Sequence, residues 1–385
     1  MSLDSTRAIL ADLIHFPTVS ADGNLELIAY AQARLDALSA RTYMTISPCG
    51  TKANLFASIG PRTGGGVILS GHTDVVPVAD QDWEFEPFQA TEWDEKIYGR
   101  GACDMKGFIA CALAMAPRFA EAELAKPVHF AFTYDEEVGC LGAPQMLDQV
   151  ADLGLAPEVC IIGEPTMMRL VEGHKGMCEY TTRFTGLAGH GSDPDRGVSA
   201  VEYAVRYVTR LLSLREELKA RAPESSPFDP PWTTLQVGAL HGGSSHNVIA
   251  EHCEVAWELR PVVPEDRPYV LGEMDAFVGK ELLPAMRAVH PWADVVTEVI
   301  GEVADLEVMP ESEAAELVRA LTGQEGGETV AFGTEAGIFQ DHGISTVVCG
   351  PGSIQQAHKP DEYIALSQLD ECLRMLEGLG RRLAA

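Results

Sequence analysis

The chain has 385 residues, 46% hydrophobic and 22% charged, the composition of an ordinary globular protein long enough for two domains. Its 57 acidic residues outnumber its 28 lysines and arginines and give a net charge of −29. That sign argues against nucleic acid as a partner, because phosphate contacts need a basic face, and it disfavours binding to anionic membranes.

The nine cysteines include no C-x-x-C pair, so a thiolate zinc site is not expected. Their odd number, and their placement inside apolar runs, reads as reduced core thiols of a cytoplasmic protein. No apolar stretch approaches the ~20 residues of a membrane span, and the first residues read as a helix rather than a leader peptide.

In chain order, residues 5–15 and 23–39 carry helical periodicity. Residues 67–70 form a short apolar run that stops at Gly71-His72, the pattern of a buried strand in a largely parallel sheet. A helix over 107–119, a strand over 128–133, a helix over 137–147 and a third buried strand over 159–162 follow. This alternation implies an α/β domain, in which ligands sit outside the carboxyl ends of the strands. His72, Glu136 and Glu164 all fall at such ends.

Near Gly176 the pattern changes. Residues 177–186 alternate, 199–214 form an amphipathic helix, 222–231 a Pro/Ser-rich loop, 233–238 and 251–260 alternating strands, and 269–286 a helix. That order suits a small antiparallel sheet with two helices on one face, in the ferredoxin-like style. From about residue 302 the α/β pattern returns, with a helix over 313–321, a strand over 346–349 and a helix over 367–379. The expected architecture is therefore a discontinuous, mixed-sheet α/β catalytic domain, residues 1–175 and 302–385, with helices on both faces and an inserted α+β domain over 176–301.

The chemistry resides in short acid- and histidine-bearing motifs. In His72-Thr-Asp74 an imidazole is placed to ligate a metal while a carboxylate orients its other nitrogen. Asp104 lies between glycines in Gly99-Arg-Gly-Ala-Cys-Asp-Met-Lys-Gly107 and suits a carboxylate bridging two ions. Glu136 and Glu137 are like-charged neighbours after a buried strand, which repel unless cations offset them; one can bind metal while the other acts as a base. Glu164 precedes Pro165 at another strand end, and His358 follows Gly350-Pro-Gly352 in a loop. Each has a commoner use taken singly: a strand-end histidine, a helix N-cap, an acidic helix start. As an ordered set they are the inventory of a two-zinc hydrolase.

These motifs carry a resemblance. Gly71-His-Thr-Asp-Val-Val-Pro77, the Asp104-Met-Lys-Gly107 end of its block, Asp135-Glu-Glu137, Gly163-Glu-Pro-Thr166 and Gly189-His-Gly-Ser192 are similar to the M20 family of metallo-aminoacylases and peptidases, over about residues 5–380. The resemblance implies a zinc-peptidase-like catalytic domain and an inserted lid or dimerisation domain. It implies two Zn2+ ions per subunit, with Co2+ or Mn2+ able to substitute. His72 and Glu164 would hold one ion, Glu137 and His358 the other, and Asp104 would bridge them. Asp74 would orient His72, and Glu136 would serve as general base and then proton donor. A cis peptide after Asp104 is also implied. His190 would donate to the developing oxyanion, in cis or across a homodimer formed through the lid.

Phe332-Gly-Thr-Glu-Ala-Gly-Ile-Phe-Gln340, Val348-Cys-Gly-Pro-Gly-Ser353 and Gln356-Ala-His-Lys-Pro-Asp-Glu-Tyr363 most resemble the acetylornithine deacetylases of that family. This implies a small N-acyl amino acid substrate, N2-acetyl-L-ornithine, split to ornithine and acetate in arginine biosynthesis. Arg260 would clamp the α-carboxylate, Asn247 would hydrogen-bond the substrate, and Glu335 would meet its distal ammonium. Desuccinylation of succinyl-diaminopimelate, general deacylation and dipeptide hydrolysis share the same metal chemistry, and a non-catalytic metal-binding scaffold is the reading of a different class.

Overall fold

The computed structural model describes residues 3–384; Met1, Ser2 and Ala385, at the ends of the expected catalytic domain, lie outside the described residues. The chain divides into two compact units. One runs up to Gly173 and includes Leu306–Thr329 and the residues from Thr334 onward; the other comprises His174–Asp305 and Val330–Gly333.

The first unit is built on an eight-stranded mixed sheet. In spatial order the strands are Arg41–Ile46, Ala53–Ile59, Val128–Thr133, Val67–His72, Val159–Pro165, Ser345–Gly350, Val171–His174 and Glu328–Val330. Val67–His72 runs parallel to Val128–Thr133 and Val159–Pro165, and the latter runs parallel to Ser345–Gly350. These central strands are buried on both faces, which is why they read as unbroken apolar runs. Alternate residues divide between the faces. Leu69, Phe130, Ile161 and Val347 join one core with the helices Leu3–His15, Gly107–Glu121 and Leu366–Leu383. On the other face, helices Gly142–Asp152 and Ala336–Asp341 pack on the sheet over Phe56, Ile68, Ala131 and Ile162. The expected mixed sheet with helices on both faces is what the chain forms.

Local features depart from the expectation, among them the short strands Val171–His174 and Glu328–Val330. Strands Arg41–Ile46 and Ala53–Ile59 extend the sheet in antiparallel fashion where no strand was read. Asn54 and Ser58 break the apolar signal there. Both are satisfied inside: the Asn54 side chain bonds Gly142 and Tyr134, and Ser58 Oγ bonds His129 Nδ1 at 2.8 Å. The helix expected from residue 137 starts only at Gly142. Asp135 (φ 58°), Gly139 (φ 106°) and Cys140 (φ 56°) adopt left-handed backbone that no helix accommodates, so Glu136 and Glu137 sit in a loop.

The second unit holds a four-stranded antiparallel sheet, in the order Thr234–Gly242, His252–Arg260, Met177–Thr185 and Asp294–Val303. With helix Ala200–Ala220, and with Asp266–Phe277 continuing through Val278–Leu282 into Leu283–Val289, this is the ferredoxin-like succession. Its core gathers Tyr180, Phe184, Tyr207, Leu211, Val255 and Trp257. A further departure is the edge strand Asp294–Val303, which the sequence pattern did not signal, and which exposes Val296, Val299 and Ile300. Among the described residues no helix is long and apolar enough to cross a membrane. All nine cysteines are free, and only Cys49 is exposed.

Candidate metal centre

Sheet geometry brings the expected ligands together. His72 ends a central strand, Glu164 lies near the end of its parallel neighbour Val159–Pro165, and Glu136 and Glu137 follow the strand on the other side, Val128–Thr133. His72 Nδ1 lies 2.8 Å from the carbonyl oxygen of Asp74. That carbonyl can only accept, so Nδ1 donates to it and Nε2 is the nitrogen left for the site: protonated it donates to Asp104, deprotonated it can ligate a metal. Around Nε2 stand Asp104 Oδ1 at 3.0 Å and Glu164 Oε1 at 3.6 Å. The other oxygen of Asp104, Oδ2, lies 3.4 Å from His358 Nε2, which in turn is 3.0 Å from Glu137 Oε2. Asp104 thus turns one oxygen to each histidine. Two candidate ligand groups result, His72 with Glu136 and Glu164, and His72 with Asp104 and Glu137, the donor atoms within each group lying within 4.8 Å of one another.

Asp74 does more than face the imidazole, from which its carboxylate Oδ1 stands 3.6 Å. That carboxylate accepts the backbone N–H of Glu136 at 3.1 Å and of Glu137 at 3.3 Å, and Ser20 Oγ donates to it at 2.7 Å. It therefore fixes the loop carrying both glutamates. The peptide between Asp104 and Met105 is cis, as the resemblance implies.

The site is electrostatically crowded. Burial, followed by repulsion from Glu164, Glu137 and Glu335, pushes the Glu136 carboxyl well above its ordinary range against the pull of His72. Burial and the Asp104 charge raise Glu164 in the same way, and they also raise Glu137. Burial would raise Asp104 too, but hydrogen bonds from His358 and His72 hold it low. Those same contacts with Asp104 and Glu137 push His358 up to about 10. Among the described residues no lysine or arginine pairs with Asp104, Glu136, Glu137 or Glu164; the cationic partners of Asp104, Glu137 and Glu164 are the histidines. Four carboxylates and two imidazoles, all hard or borderline donors, suit divalent cations, and two such ions would match the four negative charges. The donor set fits a two-ion centre.

Glu335 is buried beneath this cluster. Thr133 Oγ1 donates to its Oε2 at 2.9 Å, and its Oε1 has no hydrogen-bond partner. Burial pushes its carboxyl up to about 7. It opens helix Ala336–Asp341 without a side-chain cap bond. His190, Asn247 and Arg260 belong to the second unit. His190 and Asn247 meet there: the short ladder Gly189–His190 pairs with Val248–Ile249, and the N–H of Gly191 donates to the Asn247 carbonyl at 2.8 Å. The His190 ring is exposed and bonded to Ser192 Oγ at 2.7 Å. Arg260 is held by Glu258 at 3.1 Å and by the Ala331 carbonyl at 3.1 Å.

Two residues beside the candidate ligands escaped the sequence reading. Glu362 is buried and accepts the N–H groups of Gly101, Cys103 and Asp104 at 3.1, 2.9 and 3.0 Å, and Arg100 Nη1 donates to it at 2.8 Å. Their one signal was position: Arg100 between two glycines of the Asp104 block, and Glu362 four residues after His358.

A model of the peptidase family M20/M25/M40 matches residues 68–382. An acetylornithine deacetylase of Shigella sonnei (strain Ss046) is 38% identical over 313 residues, covering 81% of this chain and 79% of that one. The structure of an M20 family metallo-carboxypeptidase from Sulfolobus solfataricus is similar with a TM-score of 0.76 at 18% identity, covering 98% of this chain and 99% of that one. An aminopeptidase PepT from Bacillus cereus gives 0.75 at 16% identity, with 100% of both chains covered. At these identities the two structures bear on the fold alone.

Proposed function

The chain belongs to peptidase family M20/M25/M40, and we propose on that footing that it is a two-metal amidohydrolase releasing acetate from N2-acetyl-L-ornithine. The observation that carries the chemistry is Asp104, whose two oxygens face His72 and His358 separately. His72, Asp104 and Glu164 would hold one ion and Asp104, Glu137 and His358 the other, with zinc the metal best suited to this nitrogen and oxygen set. When bound, such ions polarise the amide carbonyl and make water acidic enough to attack it. Glu136, which among the described residues forms no ion pair with a histidine, is assigned as the base: it takes the proton of the attacking water and passes it to the departing amine. Asp74 holds Glu136 in place through the backbone.

For the second unit we propose that His190 donates to the oxyanion, Asn247 bonds the substrate and Arg260 grips its α-carboxylate. Glu335, the buried carboxylate with a free oxygen, is assigned to the substrate's distal ammonium. Replacing it in E335Q should then erode discrimination between acetylornithine and acetylnorleucine; unchanged discrimination refutes that role. The apolar edge strand Asp294–Val303 supports pairing with a second copy.

The substrate is supported by the 38% identical deacetylase. It is tested by amine release from acetylornithine, succinyl-diaminopimelate, acetylmethionine and a dipeptide, with and without chelator. Chelator-sensitive turnover strongest on acetylornithine is expected; preference for another compound moves the substrate and keeps the mechanism. E136Q should keep its metal and lose about 10²–10⁴-fold in turnover. Wild-type turnover in that variant would sink the base assignment.

A further inference from the structure

We infer that the buried Arg100–Glu362 pair is a positioning device that sets the affinity of one half of the centre, the half formed by Asp104, Glu137 and His358. The inference rests on the two-ion reading and adds to it two residues that touch neither ion. Both side chains are 1% exposed. Glu362 is fully occupied: Oε1 takes the N–H groups of Cys103 and Asp104, and Oε2 takes that of Gly101 and the Arg100 guanidinium. Asp104's own amide is one of these four donors, so the carboxylate that aims at both histidines is tethered at its backbone.

The same pair reaches the other ligand. Arg100 Nη1 donates to the Lys359 carbonyl at 3.2 Å, and Nη2 donates to Gln81 Oε1 at 2.6 Å. Gln81 Nε2 in turn donates to the His358 carbonyl at 3.0 Å. The guanidinium lies over the Trp83 ring, 4.9 Å from its centroid, which keeps its plane in register with these acceptors. His358 needs such support, because its backbone is left-handed at φ 64° and its ring is half exposed. One ion pair therefore ties down the loop of Asp104 and the loop of His358 together. The other half shares the Asp104 tether but leans on it less: its remaining ligands, His72 and Glu164, both stand on central strands of the sheet. Loosening the pair should release one ion before the other.

A merely structural Glu362, capping the start of the segment that leads into helix Gly107–Glu121, would behave differently. Its loss would lower the melting temperature without distinguishing between two ions.

The test is titration of the metal-stripped, full-length chain with Zn2+, followed by calorimetry, and with Co2+, followed by its visible absorption. The wild-type chain is expected to take two ions. E362Q is expected to bind one with wild-type affinity and the other about 10–100-fold more weakly, with the cobalt band of that second ion altered. Two ions bound as in the wild type, or both weakened alike, overturn the inference while leaving the two-ion reading intact. A wild-type chain that takes fewer than two ions overturns both. Should E362Q fail to fold, Q81A removes a half-buried link between Arg100 and His358. Roughly 2–10-fold weaker binding of the same ion is expected there, and unchanged binding refutes the device.

Discussion

Gly163→Ala tests how tightly the fold holds the centre. Gly163 precedes Glu164 in the strand Val159–Pro165, and a Cβ added there would lie 1.9 Å from Cγ of Phe108 and 2.1 and 2.4 Å from its two Cδ atoms. Carbon atoms pack at about 3.5–4.0 Å, so ring or strand must retreat by roughly 1.6 Å. Phe108 is fully buried, on a helix that packs against Leu3–His15 and Leu366–Leu383, so it has no open space to enter. Overpacking of this kind costs about 1–3 kcal/mol, on the order of 5 °C in melting temperature. Relaxation must move either the strand bearing Glu164 or the helix that follows Asp104, and a misplacement near 1 Å costs about 10²-fold in turnover. The assay is thermal melting together with kcat/KM at saturating zinc, for G163A, F108A and the double variant. The alanine at 163 should be far less costly once Phe108 is truncated, a coupling that a double-mutant cycle reads directly. Wild-type melting and turnover in G163A, or strict additivity with F108A, would refute the reasoning.

Acid stability should carry the signature of His129, whose imidazole burial pushes down to about 4 although Gly65 accepts from it. Below an unfolded value of about 6.5 the unfolded chain takes a proton that the fold refuses, so stability falls between about pH 6.5 and 4, by roughly 2 kcal/mol at pH 5. H129Q should be the less stable protein at pH 7.5 and should close about that much of the gap at pH 5, read as urea midpoints; a gap constant with pH would show that His129 does not titrate there. Chelation should destabilise the protein, because it leaves four carboxylates crowded around two imidazoles. Restoring metal at a thousandfold excess over its Kd should return about 4 kcal/mol, and a melting curve indifferent to chelator would contradict the site.

The candidate ligands stand out in the sequence because their chemistry and their places coincide. His72, Glu164 and the Glu136-Glu137 pair each follow a run of apolar residues, and parallel strands deliver such ends to one edge of the sheet. Arg100 and Glu362 were not legible, because each is ordinary in its own segment and gains meaning only when loops more than 250 residues apart meet. Strand Ala53–Ile59 was hidden by Asn54 and Ser58, whose polarity is cancelled by partners a local pattern does not reveal. The late start of the helix at Gly142 came from left-handed backbone at Asp135 and Cys140, which no glycine at those two positions announced. Asp74 was read as a brace for an imidazole; its hold on the next loop through two amide protons is visible only in three dimensions.

The order of the proposed ligands along the chain also matters while the protein is being made. His72, Asp104, Glu137 and Glu164 leave the ribosome early, whereas His358 is separated from Glu164 by the whole second unit. At about 5–20 residues per second, roughly 10–40 s of synthesis separate the two. Through that interval the nascent chain carries a dense acidic patch with only one of its two imidazoles, and neither Glu362 nor His358 has yet arrived to steady Asp104. An ion captured early would therefore settle on the His72 side, and the second position would close only as the last segment folds back onto the sheet.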